Sequence, residues 1–222
     1  MILASASPRR RELLGALGVE FVVRPANINE DPLPGESPLE TQHRITLEKA
    51  RAAEEGLGIR DWGLDSQQSP ITNPQSPFTT LIACDTTVLL DGEMLNKPAD
   101  EAEAWAMLRK LRNRAHEVQS CIVIKRGDEE IVAMVSSQVV MRNYSDDEIA
   151  TYIATGDPFD KAGSYAVQHE VFHPVAEIRG CPLNVIGLAL CRLRVHLPQL
   201  PDCERVCAAY SGKTCAQHLK KP

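Results

Sequence analysis

Apolar and polar positions along the chain follow two different periods, and each period predicts its own kind of element. Apolar runs and alternation over residues 81–90, 116–125 and 131–141 predict strands. Apolar residues three or four positions apart, after the capping sequences Ser7-Pro8 and Ser37-Pro38-Leu39-Glu40, predict helices. Because strands and helices are mixed and some strands form hairpins, we expect an α/β fold with a mixed sheet.

Weaker patterns predict the remaining elements. Further strands are expected over residues 1–4, 19–24 and 171–178, and further helices over residues 99–111, 145–155 and 184–195. The dipeptide Asp91-Gly92 after the strand at 81–90 predicts a tight hairpin turn.

Two segments lack these periods; the first is expected to interrupt the domain and the second to follow it. Residues 60–80 are rich in Pro, Ser, Gln and Asn, which predicts a loop insertion. The segment 198–222 holds three of the seven cysteines and is interpreted as a C-terminal tail, after a single domain over residues 1–197. Cys203, Cys207, Cys215 and His218 in this tail would supply four zinc ligands, but their spacing is not a standard one and favours free thiols.

The charge balance and the apolar runs argue against several classes of protein. Lys and Arg total 24 against 30 Asp and Glu, and this net charge of −6 argues against general nucleic-acid binding. No apolar run reaches the roughly eighteen residues of a membrane-spanning helix, and the charges after Met1–Ala4 lie on the wrong side for a signal peptide. Seven scattered cysteines do not indicate a disulfide framework. We expect a cytoplasmic protein with no nucleic-acid or membrane partner.

One acidic residue interrupts an apolar strand. Asp85 lies between two apolar runs, where a charge has to be paired, solvated or bound to a metal. Candidate partners are Arg9–Arg11, Lys49 and Lys97. An acid with several separate basic residues indicates a site for a phosphorylated ligand and a metal ion, and the alternative is an aspartate in a bulge or turn.

The basic candidates differ in what their positions indicate. Arg9–Arg11 occupy the first turn of a predicted helix, where the helix dipole favours acids. Arginines beside free backbone N–H groups indicate a phosphate site there, although a solvated basic turn is the alternative. Lys49 lies at the border of an apolar stripe, a position typical of a surface lysine.

Short motifs, in order along residues 1–194, resemble the Maf family of nucleoside triphosphate pyrophosphatases. They are Ser5-Ala6-Ser7-Pro8-Arg9-Arg10-Arg11-Glu12-Leu13-Leu14, Leu33-Pro34-Gly35-Glu36, Glu48-Lys49-Ala50, Asp85-Thr86, Lys97-Pro98, His116-Glu117-Val118, Gly156-Asp157-Pro158, Asp160-Lys161-Ala162-Gly163-Ser164-Tyr165, Gln168 and Asn184-Val185-Ile186-Gly187-Leu188. The resemblance implies a Maf/inosine-triphosphatase-like α/β fold. In that fold an elongated mixed sheet is flanked by helices, and two lobes enclose a central cleft.

The resemblance also implies an activity. It implies hydrolysis of a nucleoside triphosphate to the monophosphate and pyrophosphate with a divalent cation, Mg²⁺ or Mn²⁺. Asp85 followed by Thr86 resembles the branch that acts on dTTP and UTP, with modified pyrimidine nucleotides as further substrates. The alternatives are the same reaction on 7-methyl-GTP or other non-canonical nucleotides, and a nucleotide-binding regulator of septum formation with little turnover. A homodimer is the implied oligomeric state.

Roles for individual residues come from the same resemblance. Asp85 matches the catalytic aspartate, and Asp85 with Glu30 would hold the metal; whether Asp85 acts as base, as metal ligand or as both stays open. Arg10, Thr86 and Gln168 match positions that tune the choice of base, whereas Arg9, Glu30, Lys49, Lys97 and Lys161 match other polar positions of the cleft. The chain departs from the family pattern at Asn27, Asn29, His169 and Leu183.

Overall fold

The structure is a computed structural model that describes residues 1–55 and 80–211. These residues contain seven strands, β1 (Ile2–Ala4), β2 (Val22–Val23), β3 (Leu81–Leu90), β4 (Glu93–Leu95), β5 (Ala115–Arg126), β6 (Glu129–Met141) and β7 (Val175–Arg179). They also contain seven α-helices, α1 (Pro8–Gly15), α2 (Pro38–Glu55), α3 (Glu101–Leu111), α4 (Asp146–Ala154), α5 (Pro182–Ile186), α6 (Leu190–His196) and α7 (Glu204–Ser211). Nearly all of the predicted loop insertion at 60–80, and the tail from residue 212, lie outside the described residues.

All seven strands belong to one mixed sheet. Its order is β2-β1-β3-β5-β6-β7, and β4 pairs with the end of β3. β1 runs parallel to β2 and β3, with Ile2 opposite Leu81, whereas β4 is antiparallel to β3, with Val88 opposite Leu95. The sheet and its flanking helices confirm the predicted α/β fold with a mixed sheet.

Contacts divide the chain into two units. The first unit contains Met1–Asp85 and Cys121–Ala133, and the second contains Thr86–Ser120 and Met134–Pro222. The core of the first unit packs α2 against strands through small side chains, among them Ala50, Ala53 and Ala83. The core of the second unit is larger and includes buried aromatic rings, among them Tyr144, Tyr152 and Phe172.

The predicted helix starts and the hairpin form as local chemistry requires. Ser7 caps α1 by accepting a hydrogen bond from the backbone N–H of Arg10, with Pro8 as the first helical residue. At the start of α2, Glu40 accepts from the N–H of Ser37 at 2.8 Å, and Ser37 accepts from that of Glu40 at 3.4 Å, which is a capping box. Asp91 and Gly92 both have positive φ, as a tight turn between β3 and β4 demands.

The predicted single helix over residues 184–195 is wrong, because a glycine divides it. Gly187 has φ 133°, a left-handed conformation that ends α5. The N–H groups of Gly187 and Leu188 both donate to the carbonyl of Leu183, at 3.0 and 2.9 Å, and so satisfy the end of that helix. The predicted strands at 19–24 and 171–178 are also shorter than expected and are confined to Val22–Val23 and Val175–Arg179.

The second part of the described tail, residues 204–211, is helical. α7 follows Cys203, and both Cys203 and Cys207 are buried. Cys215 and His218, the other two candidate zinc ligands, lie outside the described residues. Over residues 1–55 and 80–211, the structure contains no helix with the length and apolar character needed to cross a membrane.

A buried histidine makes folding stability depend on pH. The Nε2 atom of His116 lies 2.7 Å from the hydroxyl of Tyr165, and burial lowers the pKa of His116 from 6.5 to about 4. Between these values the unfolded chain binds a proton that the folded protein excludes, so stability is lost as the pH falls. We expect the free energy of unfolding to decrease by about 3 kcal/mol across this interval, as measured by urea denaturation.

The variant His116→Gln should lose most of this dependence, because an amide does not titrate there. His43 is exposed on α2, so His43→Gln serves as the control and should retain the dependence of the wild type. Equal slopes of stability against pH for His116→Gln and the wild type would contradict the assignment.

Candidate active site

Three charged side chains of the first unit meet at the ammonium group of Lys49. The Nζ atom of Lys49, on α2, lies 2.7 Å from Oδ1 of Asp85, on β3, and 3.0 Å from Oε1 of Glu30, in the loop before α2. The side chains of Lys49 and Asp85 are 10% and 16% exposed, whereas that of Glu30 is 53% exposed. A nearly buried ammonium is thus held by one shielded and one accessible carboxylate. Lys49 is buried, which excludes the alternative of a surface lysine.

Gln42, a second residue of α2, contacts the backbone of Asp85. The amide nitrogen Nε2 of Gln42 donates to the carbonyl of Asp85 at 3.2 Å, and Gln42 is fully buried. Gln42 precedes Lys49 by seven residues, or about two helical turns, so both side chains lie on the same face of α2. Sequence reasoning missed Gln42, although its spacing from Lys49 was a signal that could have identified it.

Glu30 and Asp85 are the two carboxylates of this site that could hold a divalent cation shared with a phosphate group. Both carboxylates contact the ammonium nitrogen of Lys49 and therefore face the same point of the site. Mg²⁺ at phosphate-binding sites typically takes one or two carboxylates together with phosphate oxygens. No group of three or more His, Cys, Asp or Glu that would hold a metal occurs in the part of the chain that the structure describes. A cation at this pair would therefore draw further ligands from a bound phosphate and from water.

The arginines predicted to bind phosphate lie in the first turn of α1. Arg9 and Arg10 are partly exposed, and Arg10 Nη1 donates to the hydroxyl of Ser5 at 3.0 Å. Ser5 is buried and also accepts from the N–H of Ser7 at 3.3 Å, so it orders the turn between β1 and α1. Since Ser7 caps the N–H of Arg10, an anion at this turn would depend mainly on the guanidinium groups.

Thr86, the first residue of the second unit after Asp85, lies in a network of polar groups. Its hydroxyl is 2.9 Å from that of Ser120 and donates to the carbonyl of Gly187 at 3.3 Å. Asn184, which is fully buried, donates to the carbonyl of Val118 at 2.9 Å and so helps to fix the turn that ends at Gly187. Thr86 is therefore held by two separate elements of its unit, β5 and the turn after α5.

The other predicted residues of the second unit have different surroundings. Lys161 is buried, and its ammonium donates to two groups of Asp157, the carbonyl at 2.6 Å and the carboxylate at 2.8 Å. It also donates to the carboxylate of Asp160 at 2.5 Å. All three of its N–H donors are used inside its own loop, so a substrate contact would replace one of them. Lys97, after β4, and Gln168 are exposed. The structure thus brings Glu30, Lys49 and Asp85 into direct contact but does not join Lys97, Lys161 and Gln168 to one another.

Comparison with known proteins identifies a family and relatives that cover most of the chain. Residues 1–200 match the family model described as Maf-like protein. The dTTP/UTP pyrophosphatase of Geobacter sp. (strain M21) is 42% identical over 195 residues, which cover 87% of this chain and 91% of that protein. The protein of the same name from Thermomicrobium roseum is 41% identical over 86% of this chain and 79% of its own length. The one from Symbiobacterium thermophilum is 39% identical over 90% of this chain and 93% of its own length. The match along residues 1–200, with these identities, shows that the chain belongs to the Maf-like protein family.

Proposed function

We propose that this protein hydrolyses nucleoside triphosphates, above all dTTP and UTP, to the monophosphate and pyrophosphate. The observation that carries the proposal is the contact of Asp85 and Glu30 with the shielded ammonium of Lys49. Relatives about 40% identical over most of the chain are named dTTP/UTP pyrophosphatases, which supports the same substrates here. A cytoplasmic location, a homodimer and the absence of nucleic-acid partners stay predictions.

Cleavage between the α- and β-phosphates requires positioned charges and a positioned water. We assign neutralisation of the phosphates to Arg9, Arg10, Lys49 and Lys97. Lys161 joins this group only if it exchanges one of its loop contacts for a phosphate oxygen. Thr86, Gln168 and Arg10 select the base in this proposal, because hydroxyl, amide and guanidinium groups hydrogen-bond to the edge of a pyrimidine.

The carboxylate of Asp85 has two oxygens, and its contact with Lys49 engages one of them. Within the described residues, Lys49 contacts Asp85 at Oδ1. Oδ2 would then accept the proton of the attacking water or ligate the cation. A divalent cation, Mg²⁺ or Mn²⁺, held by Asp85 and Glu30 with the phosphates, would neutralise charge that develops on the phosphate oxygens. Lys49 keeps both carboxylates in place in either case.

A screen for pyrophosphate release tests the proposal. The full chain is incubated with canonical, 7-methylated and modified nucleoside triphosphates, with Mg²⁺, with Mn²⁺ or with a chelator. We expect release from UTP and dTTP that requires the cation. A strong preference for 7-methyl-GTP would overturn the choice of substrate, and nucleotide binding without release would favour a regulatory protein.

Removing the hydroxyl of Thr86 should weaken the choice of base more than catalysis itself. Val has nearly the shape of Thr, so Thr86→Val removes the contacts with Ser120 and Gly187 but keeps the volume. We expect the ratio of kcat/KM for UTP to that for CTP to fall by about tenfold, with Thr86→Ser retaining most of it. The control is Thr151→Val on α4, whose exposed hydroxyl donates to the carbonyl of Asp147. An unchanged ratio in Thr86→Val would contradict a role in selectivity.

A further inference from the structure

One arginine of α2 fixes the loop that carries Glu30. Nη2 of Arg44 donates to the carbonyl of Asp31 at 2.8 Å. The same guanidinium contacts both carboxylate oxygens of Glu36, with Nε at 2.7 Å from one and Nη2 at 3.0 Å from the other. Asp31 directly follows Glu30, and Glu36 ends the loop before the cap of α2. Arg44 therefore ties both ends of residues 31–36 to one point on the helix.

Glu36 completes this arrangement through further hydrogen bonds. Its carboxylate accepts from the N–H of Leu33 at 2.9 Å and from the hydroxyl of Thr41 at 3.0 Å. Hydrogen bonds from Arg44 lower the pKa of Glu36 to about 2, so the carboxylate stays ionised at any pH well above this value. Glu48 accepts from Nη1 of Arg44 at 3.3 Å and so holds the guanidinium from the helix side. We call Arg44 and Glu36 the loop clamp.

Glu30 depends on the backbone of its loop for its position. Its side chain is 53% exposed and reaches Lys49 at its tip. Neither helix nor strand forms between β2 and α2. The side chain of Asn29 accepts from the N–H of Asp31 at 2.9 Å and closes a turn around Glu30. Arg44 holds the carbonyl of Asp31, the last residue of this turn, so the loop clamp fixes the backbone that carries Glu30.

We propose that Arg44 and Glu36 are positioning residues of the active site, which hold Glu30 beside Lys49 and Asp85 to receive the cation and the phosphates of the substrate. The inference rests on the proposed function, which makes Glu30 a metal ligand. A planar guanidinium binds a carbonyl and both oxygens of a carboxylate at once, and a lysine ammonium does not reproduce that geometry. The arginine side chain is therefore required, and charge alone does not suffice.

The variant Arg44→Lys tests the clamp. Loss of a residue that orients a metal ligand typically costs 10- to 100-fold in metal affinity or activity, and we expect about tenfold in kcat/KM and in Mn²⁺ affinity. Mn²⁺ binding is measured from the free-ion electron paramagnetic resonance signal in the presence of α,β-methylene-UTP, which is not cleaved. Amide hydrogen exchange should rise in residues 29–36 and stay unchanged in α2. Arg51→Lys, an exposed arginine of the same helix, is the matched control and should change none of these.

A double-mutant cycle separates positioning from a general loss of structure. In Glu30→Gln, where the metal ligand is already removed, adding Arg44→Lys should cause no further loss of Mn²⁺ affinity. An equal loss in both backgrounds would overturn the inference, as would unchanged exchange in residues 29–36. If Arg44→Lys does not fold, Glu36→Gln replaces it with the same expectations. Absence of pyrophosphate release by the wild type would refute the proposed function instead, since the Mn²⁺ and exchange measurements require no turnover.

Discussion

The variant Asp85→Asn is expected to release pyrophosphate from UTP about 1,000-fold more slowly than the wild type. An amide neither accepts a proton from water at neutral pH nor offers a charged oxygen to a cation. If the NH₂ group of the new amide pointed toward Lys49, two hydrogen-bond donors would also face each other, where the ammonium and the carboxylate are now 2.7 Å apart. The measurement is kcat/KM for pyrophosphate release at saturating Mg²⁺.

The control for this substitution is Asp128→Asn, in the exposed turn between β5 and β6. It makes the same chemical change away from Lys49 and should leave kcat/KM unchanged. Binding of Mn²⁺ with α,β-methylene-UTP to Asp85→Asn then separates the two roles of the carboxylate. If the variant keeps its Mn²⁺ affinity but loses turnover, Asp85 acts as a base. If it loses Mn²⁺ affinity, Asp85 acts as a metal ligand. Full activity of Asp85→Asn would remove Asp85 from the catalytic assignment.

The second large effect is expected from Lys49→Met, which keeps the length of the side chain but removes its charge. Two carboxylates would then lie close together without the ammonium that joins them, and that of Asp85 is only 16% exposed. Leaving one partner of a shielded ion pair uncompensated typically costs about 3 kcal/mol of stability. We also expect kcat/KM to fall by about 100-fold, because Glu30 and Asp85 lose their common anchor and the phosphates lose a countercharge.

A second lysine of the first unit provides a matched control for Lys49→Met. Lys125 on β5 has a side chain that is 16% exposed and likewise contacts two carboxylates, those of Glu54 and Glu130. Lys125→Met should therefore lower the urea midpoint while kcat/KM of the folded enzyme stays near that of the wild type. If both variants lost activity in proportion to their stability, Lys49 would have only a structural role.

Local sequence was sufficient for the helix starts and the hairpin, where the deciding interactions span a few residues. The caps at Ser7 and Ser37 and the turn at Asp91-Gly92 are formed by neighbouring side chains and backbone groups, and all were predictable. The break at Gly187 was not predicted, because the apolar periodicity continues across it and masks the glycine.

The sequence by itself determined the mixed α/β architecture and singled out Asp85 as a charge that needs a partner. It did not determine which of Arg9, Arg10, Lys49 or Lys97 that partner is. Tertiary structure decided this, because α2 packs through Ala50 and Ala53 onto strands that come from distant parts of the chain. That packing places Lys49 against Asp85, 36 positions away, and Arg44 against the loop of Glu30. Contacts between residues so far apart in the sequence depend on how closely two backbone segments approach in the fold. Neither periodicity nor a local motif specifies that distance.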